Sequence, residues 1–484
     1  MPSARLARNF AALDDTFDVV VIGGGASGLG AAVDAASRGY KTALVEAVDF
    51  AKATSSRSTK LIHGGVRYLA EGDVGLVREA LRERATLRKN APHLVHDLGF
   101  LCPAYRWYEA PYYAAGLAAY DMLAGSSNFG RSRYLSPRQT LERAPAMRRE
   151  GLRGAIRYHD GQFDDARLAI ALMRTAVECG AVIVNYARAV GFERINGRIA
   201  AVRVRDEESG NEATVRARVV VNAAGIFADA LRRLDDAAVL PLLSLSRGSH
   251  LTLSRDRFPG EDALLVPRTD DGRVLFVVPW HERVIVGTTD IAEPRPSFDP
   301  VPREEEIAYM LAHASRYLRE PLVREDVRAA FCGLRPLVNR AAAATARLSR
   351  EHVVETSNSG LVTICGGKWT TYRKMAEDTI DVAREVGGLA KAPSHTVDLP
   401  IHGHDGIESA ERDALIAAEP ALAQRLHPAF PYTRADVVAG VRYEMARTVD
   451  DVLSRRTRLT FLDATAAKLC EPTVAEMLAR ERTP

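Results

Sequence analysis

Residues 17–46, FDVVVIGGGASGLGAAVDAASRGYKTALVE, constrain the fold more than any other part of the chain. Val19 to Ile22 make a short β-branched run suited to a parallel strand buried on both faces. Gly23, Gly25 and Gly28 then complete GxGxxG. The first glycine allows the turn, the second lets backbone approach a diphosphate, and the third lets the next helix pack on the strand. Ala26 and Ser27 open that helix, whose free N–H groups and positive dipole end suit the diphosphate. Gly39 is placed to end it. The strand TALVE finishes in Glu46, near the ~20-residue spacing of a carboxylate on the adenosine ribose. That acid disfavours a 2′-phosphate and so NADP; FAD and NAD remain.

A chain of 484 residues is too long for one simple layer and predicts two or three domains. Its net charge of +3 offers no case for nucleic acid as a partner. The run RRTR at 455–458 reads as a solvated helix face or cap. Cys102, Cys179, Cys332, Cys365 and Cys470 are scattered and form no CxxC pair, which predicts a reducing compartment. His402 and His404 in IHGHDG have no partner spaced as in a known metal site, so they read as a surface turn and no metal is assigned. The N-terminal MPSARLARNFAALDD lacks the apolar core of a secretory signal. No stretch reaches the ~18 apolar residues of a spanning helix. The nearest, APYYAAGLAAYDMLAG at 110–125, is interrupted by Asp121 and reads as a helix on the core. The expectation is a soluble or peripheral protein.

The stretch after Glu46 separates FAD from NAD. An NAD-only domain continues with another short crossover. Here Thr54, Ser55, Ser56, Ser58 and Thr59 bring hydroxyls that can bond a diphosphate or a ribityl chain, and Gly64 and Gly65 let main chain come against a flat ring system. The run TSSRSTKLIHGGVRYL (54–69) resembles the hallmark of the FAD-dependent glycerol-3-phosphate dehydrogenase family almost letter for letter. FAD is therefore the expected cofactor. The resemblance also puts Lys60, Leu61 and His63 beside it.

The resemblance extends over nearly the whole chain. It implies an α/β fold with a Rossmann-like FAD-binding domain split in sequence, an antiparallel-sheet substrate domain and a C-terminal helical domain. The expected boundaries are a tail at 1–16, FAD-binding segments at 17–95, 156–235 and 331–390, substrate segments at 96–155 and 236–330, and the helical domain at 391–484. The pattern supports this division. DVGLVREALRERATLRKN (73–90) has helical spacing under a basic face, RARVVVNAAGIFAD (216–229) is a strand ending in small residues at Ala224 and Gly225, and 244–290 alternates like an antiparallel sheet. No D-x-[DN]-x-[DN]-G loop occurs, so the calcium-binding extension of mitochondrial relatives is missing.

Oxidising a secondary alcohol with a flavin requires hydride delivery to N5, removal of the hydroxyl proton, and positive charge near the reduced ring. For the charge, CGGKWTTYRK offers Gly367, Lys368 and a helix start capped by Thr370 or Thr371. For the proton, His250 in RGSH matches the family's active-site histidine, with His63 as its rival. A phosphorylated substrate needs arginine forks, and Arg67, Arg335 and Arg350 match family substrate positions, with Tyr68 beside Arg67 and Gly333 beside the cofactor. His250, Lys368 and Arg335 are thus the expected catalytic residues. Two departures stand out. Arg247 occupies a place where relatives often carry lysine, and Trp369 one where leucine is common.

The expected reaction is oxidation of sn-glycerol 3-phosphate to dihydroxyacetone phosphate, with electrons passed to a quinone. The expected location is the cytoplasm, with peripheral contact on the cytoplasmic face of the inner membrane, and a homodimer is the assembly to test. An oxidase returning electrons to O₂, an amine or amino-acid oxidase relative, and a flavin-binding regulator are the alternatives.

Overall fold

The computed structural model describes residues 5–66, 72–339, 347–348 and 352–482. Three separated parts of the chain supply one parallel sheet. The strand Thr16–Ile22 pairs with Thr42–Val45 on one side and with Glu212–Asn222 on the other. Val182–Val184 and Leu361–Gly366 extend it outward, again in parallel. Each is a β-branched run with both faces covered, and their Val19, Val20, Val21, Val220, Val221 and Val362 are buried. The helix Ala26–Ser37 lies on this sheet against the helices Asp165–Glu178 and Tyr372–Gly387. A Cβ on its Gly30 would come within 3.0 Å of the Tyr372 ring, so close helix packing selects glycine there.

The second sheet is mainly antiparallel. Its long strands Leu243–Ser254 and Val327–Val338 pair in a register that sets His250 opposite Phe331 and Ser246 opposite Arg335. Arg283–Gly287 lies on the other side of His250, with Gly287 opposite it. The short strand Leu61–Ile62 pairs with Gly161 and Gln162 of Ala155–Phe163, so the chain passes from the first sheet to the second within the 54–65 stretch.

Beyond Pro393 the helices Ile407–Ala418, Arg434–Glu444 and Ala464–Arg482 share a core with Trp280, Ile285 and Phe331 of the second sheet. Here two sequence expectations fail. The RRTR run is not solvated: Arg455, Arg456 and Arg458 are buried. Arg455 and Arg456 both bond the carboxylate of buried Asp49, and Arg458 bonds that of buried Asp165. His402 is buried rather than in an exposed turn, its Nδ1 2.6 Å from a Glu178 carboxylate oxygen. The helix Glu109–Ala124 lies on the core as expected, packing Tyr113, Leu117, Tyr120 and Ala124 inward and leaving Tyr112 and Met122 exposed.

Candidate active site

At the carboxyl ends of the parallel strands, glycine is required by contact. Gly23 donates its N–H to the Val45 carbonyl at 2.9 Å; with φ at +117°, a Cβ there would lie 2.5 Å from the Ala223 carbonyl oxygen. A Cβ on Gly28 would lie 1.9 Å from the Gly23 carbonyl oxygen. Gly25 is the N-cap of the first helix and brings no side-chain cap, which leaves its first-turn N–H groups for an anion. The Ser55 hydroxyl accepts one of them, from Ala26, at 3.0 Å. Glu46 accepts the N–H groups of Gly24 at 2.6 Å and Val48 at 2.9 Å, which fix its carboxylate at the strand end. Gly225, at φ +55°, borders open space, since a Cβ there would meet nothing within 4 Å. Small residues beside open space at strand ends are where doubly wound sheets take a dinucleotide.

Side chains stitch the 54–65 stretch to the GGKW turn. Trp369 Nε1–H donates to the Ser55 carbonyl at 2.9 Å, so tryptophan here makes a bond leucine could not. The Thr370 hydroxyl lies 3.3 Å from both the N–H and the carbonyl of His63. Gly64 donates its N–H to the Tyr120 hydroxyl at 2.9 Å and to Asp160 at 3.2 Å, and Arg84 completes the group with a 2.6 Å bond to Asp160. Gly65 and Gly367 take φ of +77° and +74°, and a Cβ on Gly367 would meet Met375 Sδ at 2.2 Å. Thr371 does not cap the following helix; its hydroxyl donates to the Lys368 carbonyl at 3.4 Å. The helix Tyr372–Gly387 thus also starts without a side-chain cap, next to half-buried Lys368.

His250 and Arg335 come together through the register of the second sheet. A Cβ on Gly248 would lie 2.3 Å from an Arg335 guanidinium nitrogen, so that glycine makes room for the fork. Residues 248 and 250 of one strand point to the same face, which places guanidinium and imidazole side by side. Arg335 is held by the Thr288 hydroxyl at 2.9 Å and the Thr289 carbonyl at 3.1 Å, with Asp290 at 3.5 Å. His250 is buried under Phe331, with ring centroids 4.9 Å apart, and its Nε2 is 2.9 Å from the Thr59 hydroxyl. Its Nδ1 has no hydrogen-bond partner. Burial, then the nearby Lys60 and Arg335 charges, push its pKa well below the usual histidine range, so the ring is neutral.

Several expected cofactor contacts have other partners. The Thr54 hydroxyl donates to the Leu334 carbonyl at 2.6 Å, and Ser58 donates to Asp165 from its N–H and its hydroxyl. Lys60 is fully buried, and its ammonium bonds Asp165 and the Ser56 carbonyl at 2.7 Å each. Leu61 lies in the core of the second sheet, and the buried Ser56 hydroxyl has no hydrogen-bond partner. Gly333 packs under the Arg57 backbone, 3.0 Å from its would-be Cβ. Arg67, Tyr68 and Arg350 lie outside the described residues. Asp165 and Asp160 are polar groups that sequence reasoning missed; their signal, acids in YHDGQFDD beside a buried strand, was visible but ambiguous.

The glycine turn, two uncapped helix starts, the strand-end acid and the open small-residue edge fit a long flavin dinucleotide, and they define an FAD-dependent oxidoreductase. Comparison with known proteins agrees. Residues 18–373 match the family described as FAD dependent oxidoreductase, and residues 394–483 match the C-terminal domain of alpha-glycerophosphate oxidase. The chain is 42% identical to the mitochondrial glycerol-3-phosphate dehydrogenase of Mus musculus, over 96% of this chain and 70% of that protein. With the mitochondrial glycerol-3-phosphate dehydrogenase of Arabidopsis thaliana the figures are 40%, 97% and 84%. The crystal structure of the glycerol-3-phosphate dehydrogenase from Bacillus halodurans complexed with FAD superposes with a TM-score of 0.77 at 30% identity, covering 97% of this chain and 92% of that one. The chain belongs to the FAD-dependent glycerol-3-phosphate dehydrogenase family.

Proposed function

We propose that this enzyme oxidises sn-glycerol 3-phosphate to dihydroxyacetone phosphate with FAD as cofactor. The observation that carries the reading is the pairing of a fixed arginine fork, Arg335, with a buried imidazole, His250, on one face of the strand Leu243–Ser254. Bound FAD supplies the acceptor for the hydride that leaves the carbinol carbon. Gly23, Gly25, Ala26, Ser27 and Gly28 would hold its diphosphate and Glu46 its adenosine ribose. Gly64, Gly65, Ala224, Gly225, Gly367 and Lys368 would border its ring end. His250 takes the hydroxyl proton, and Thr59 fixes its ring by the bond at Nε2. Arg335 takes phosphate oxygens, and we assign Arg67, Tyr68 and Arg350 to the same substrate.

For the onward electrons we propose a quinone at a membrane surface. No helix among the described residues is long and apolar enough to cross a membrane. Trp107, just before the helix Glu109–Ala124, and Met122, in its last turn, are 77% and 78% exposed, with exposed Tyr112 between them; aromatic side chains of this kind favour a membrane interface. Co-sedimentation with anionic vesicles, lost on Trp107→Ser with Tyr112→Ser, tests the contact. The reaction itself is tested by adding sn-glycerol 3-phosphate to the FAD-loaded protein without oxygen. Bleaching of the flavin band that plain glycerol does not cause is the expected result. A flavin that stays oxidised refutes the substrate, and rapid peroxide formation in air would replace the quinone by O₂.

A further inference from the structure

Lys60 is a charged side chain that the chemistry above does not use. Its ammonium is fully enclosed, 5.1 Å from the Phe331 ring centroid, 5.4 Å from Trp280 and 5.7 Å from Phe461. Enclosing an ammonium is costly unless an opposite charge answers it. Asp165 does so at 2.7 Å, but the same carboxylate also accepts a 2.8 Å bond from Arg458, so two cations share it. Lys60 moreover sits at φ +63°, which disfavours any residue with a side chain. A lysine kept under both penalties invites a functional reason.

The geometry supplies one. Phe331 lies flat on the His250 imidazole, the rings 13° from parallel, and the residue before Lys60, Thr59, is the one bonded to His250 Nε2. One stretch of chain thus holds the imidazole with residue 59 and sets a cation against the ring stacked on it with residue 60. We propose that Lys60 is a positioning residue for the proton-transfer step: its buried ammonium keeps His250 uncharged and bonded to Thr59, ready to take the substrate's proton. This rests on the reading of His250 as the base. The charged and titratable groups facing the pair are Asp164 and Asp165 at the start of the helix Asp165–Glu178, Arg458 from the C-terminal helices, Arg335 from the strand Val327–Val338, and His281, 3.6 Å from Asp164. Burial brings the Lys60 pKa down to about 7 against the pull of Asp165. As pH falls through that value the proton goes to Lys60, and the charge so formed opposes a proton on His250.

The test uses the full-length, FAD-loaded chain. Lys60→Gln keeps donors for Asp165 and the Ser56 carbonyl and removes the charge; Lys60→Met is the second variant. In protein with ¹³C-labelled histidine, with His250→Asn to assign the signal, His250 should titrate about one pH unit higher in Lys60→Gln than in the wild type. The acid limb of anaerobic flavin reduction by glycerol 3-phosphate should move the same way. An unmoved His250 titration in either folded variant overturns the proposal. So does a wild-type His250 that titrates near the ordinary ~6.5, a result that needs no variant. The titration is read without substrate, so a flavin that glycerol 3-phosphate fails to bleach refutes the substrate reading and is told apart from a failure of Lys60.

Discussion

Replacing Asp49 by asparagine keeps the side-chain shape and removes one charge from the densest buried ion cluster described here. Asp49 is fully buried three residues beyond Glu46 and accepts bonds from Arg455 Nε at 2.5 Å, from two Arg456 nitrogens, and from Asn185 at 3.3 Å. Removing one partner of a buried ion pair costs about 3–5 kcal/mol, because the other charge is left uncompensated. Arg455 keeps Asp450 at 2.9 Å and Asp451 at 2.7 Å, whereas Arg456 keeps the Glu444 carbonyl at 2.6 Å and, for charge, the Glu444 carboxylate 3.6 Å away. One stranded cation rather than two sets the expectation at the lower end, about 3 kcal/mol. At ~2.1 cal/mol/K per residue, unfolding 484 residues carries an entropy of about 1 kcal/mol/K, so the loss reads as a fall of about 3 °C in Tm. Burial alone would raise the Asp49 pKa, but Arg456 and Arg455 more than reverse it and hold it below the usual carboxylate range. Its stabilisation is therefore present above the unfolded value of ~3.9 and is lost as pH falls through the lower folded value. Urea titrations of both proteins should show the gap at pH 7 and its closure in acid. A loss under about 1 kcal/mol at pH 7, or a gap unchanged well below pH 4, would refute the account of the cluster.

Three further outcomes follow from contacts already described. Gly28→Ala puts a methyl 1.9 Å from the Gly23 carbonyl oxygen, and overpacking of about 1–3 kcal/mol should weaken FAD roughly 10- to 100-fold, read from the 450 nm to 280 nm absorbance ratio after dialysis. Arg335→Lys keeps the charge but loses the fork, so KM for glycerol 3-phosphate should rise at least about tenfold while FAD content stays constant. Asp160→Asn strands Arg84 and loosens the bond to Gly64; a loss of about 3 kcal/mol in chemical denaturation is expected, and no loss would show that Tyr120 alone holds that turn.

What could be read in advance was what local chemistry dictates. A glycine turn after a β-branched run has one common use, and a second strand ending in Glu46 at the proper distance narrows it further. The assignment of His250 and Arg335 came from motif context, and the register of the second sheet sets them on one face. Donors next to a cofactor motif suggest direct contacts with it, and Thr54, Ser58 and Thr59 also have partners in the protein, Leu334, Asp165 and His250. Nothing within the stretch reveals those partners, because they lie one to three hundred residues away.

The buried arginines escape a sequence reading for a related physical reason. Charged side chains are almost never fully buried unless paired, so the default for RRTR is solvent; nearby Asp450 and Asp451 pair with Arg455, but the buried carboxylates of Asp49 and Asp165 lie more than 290 residues earlier in sequence. The pairing has a structural logic. Between Glu46 and Leu61 the chain must leave one sheet and enter another, and it does so through left-handed residues at Ala51 and Lys60. Such backbone persists only where surrounding structure over-determines it. Arg455 and Arg456 bind Asp49 at the start of this crossing, and Arg458 binds Asp165 and the Ser56 carbonyl at its middle. The C-terminal region therefore helps hold the 46–61 crossing in place.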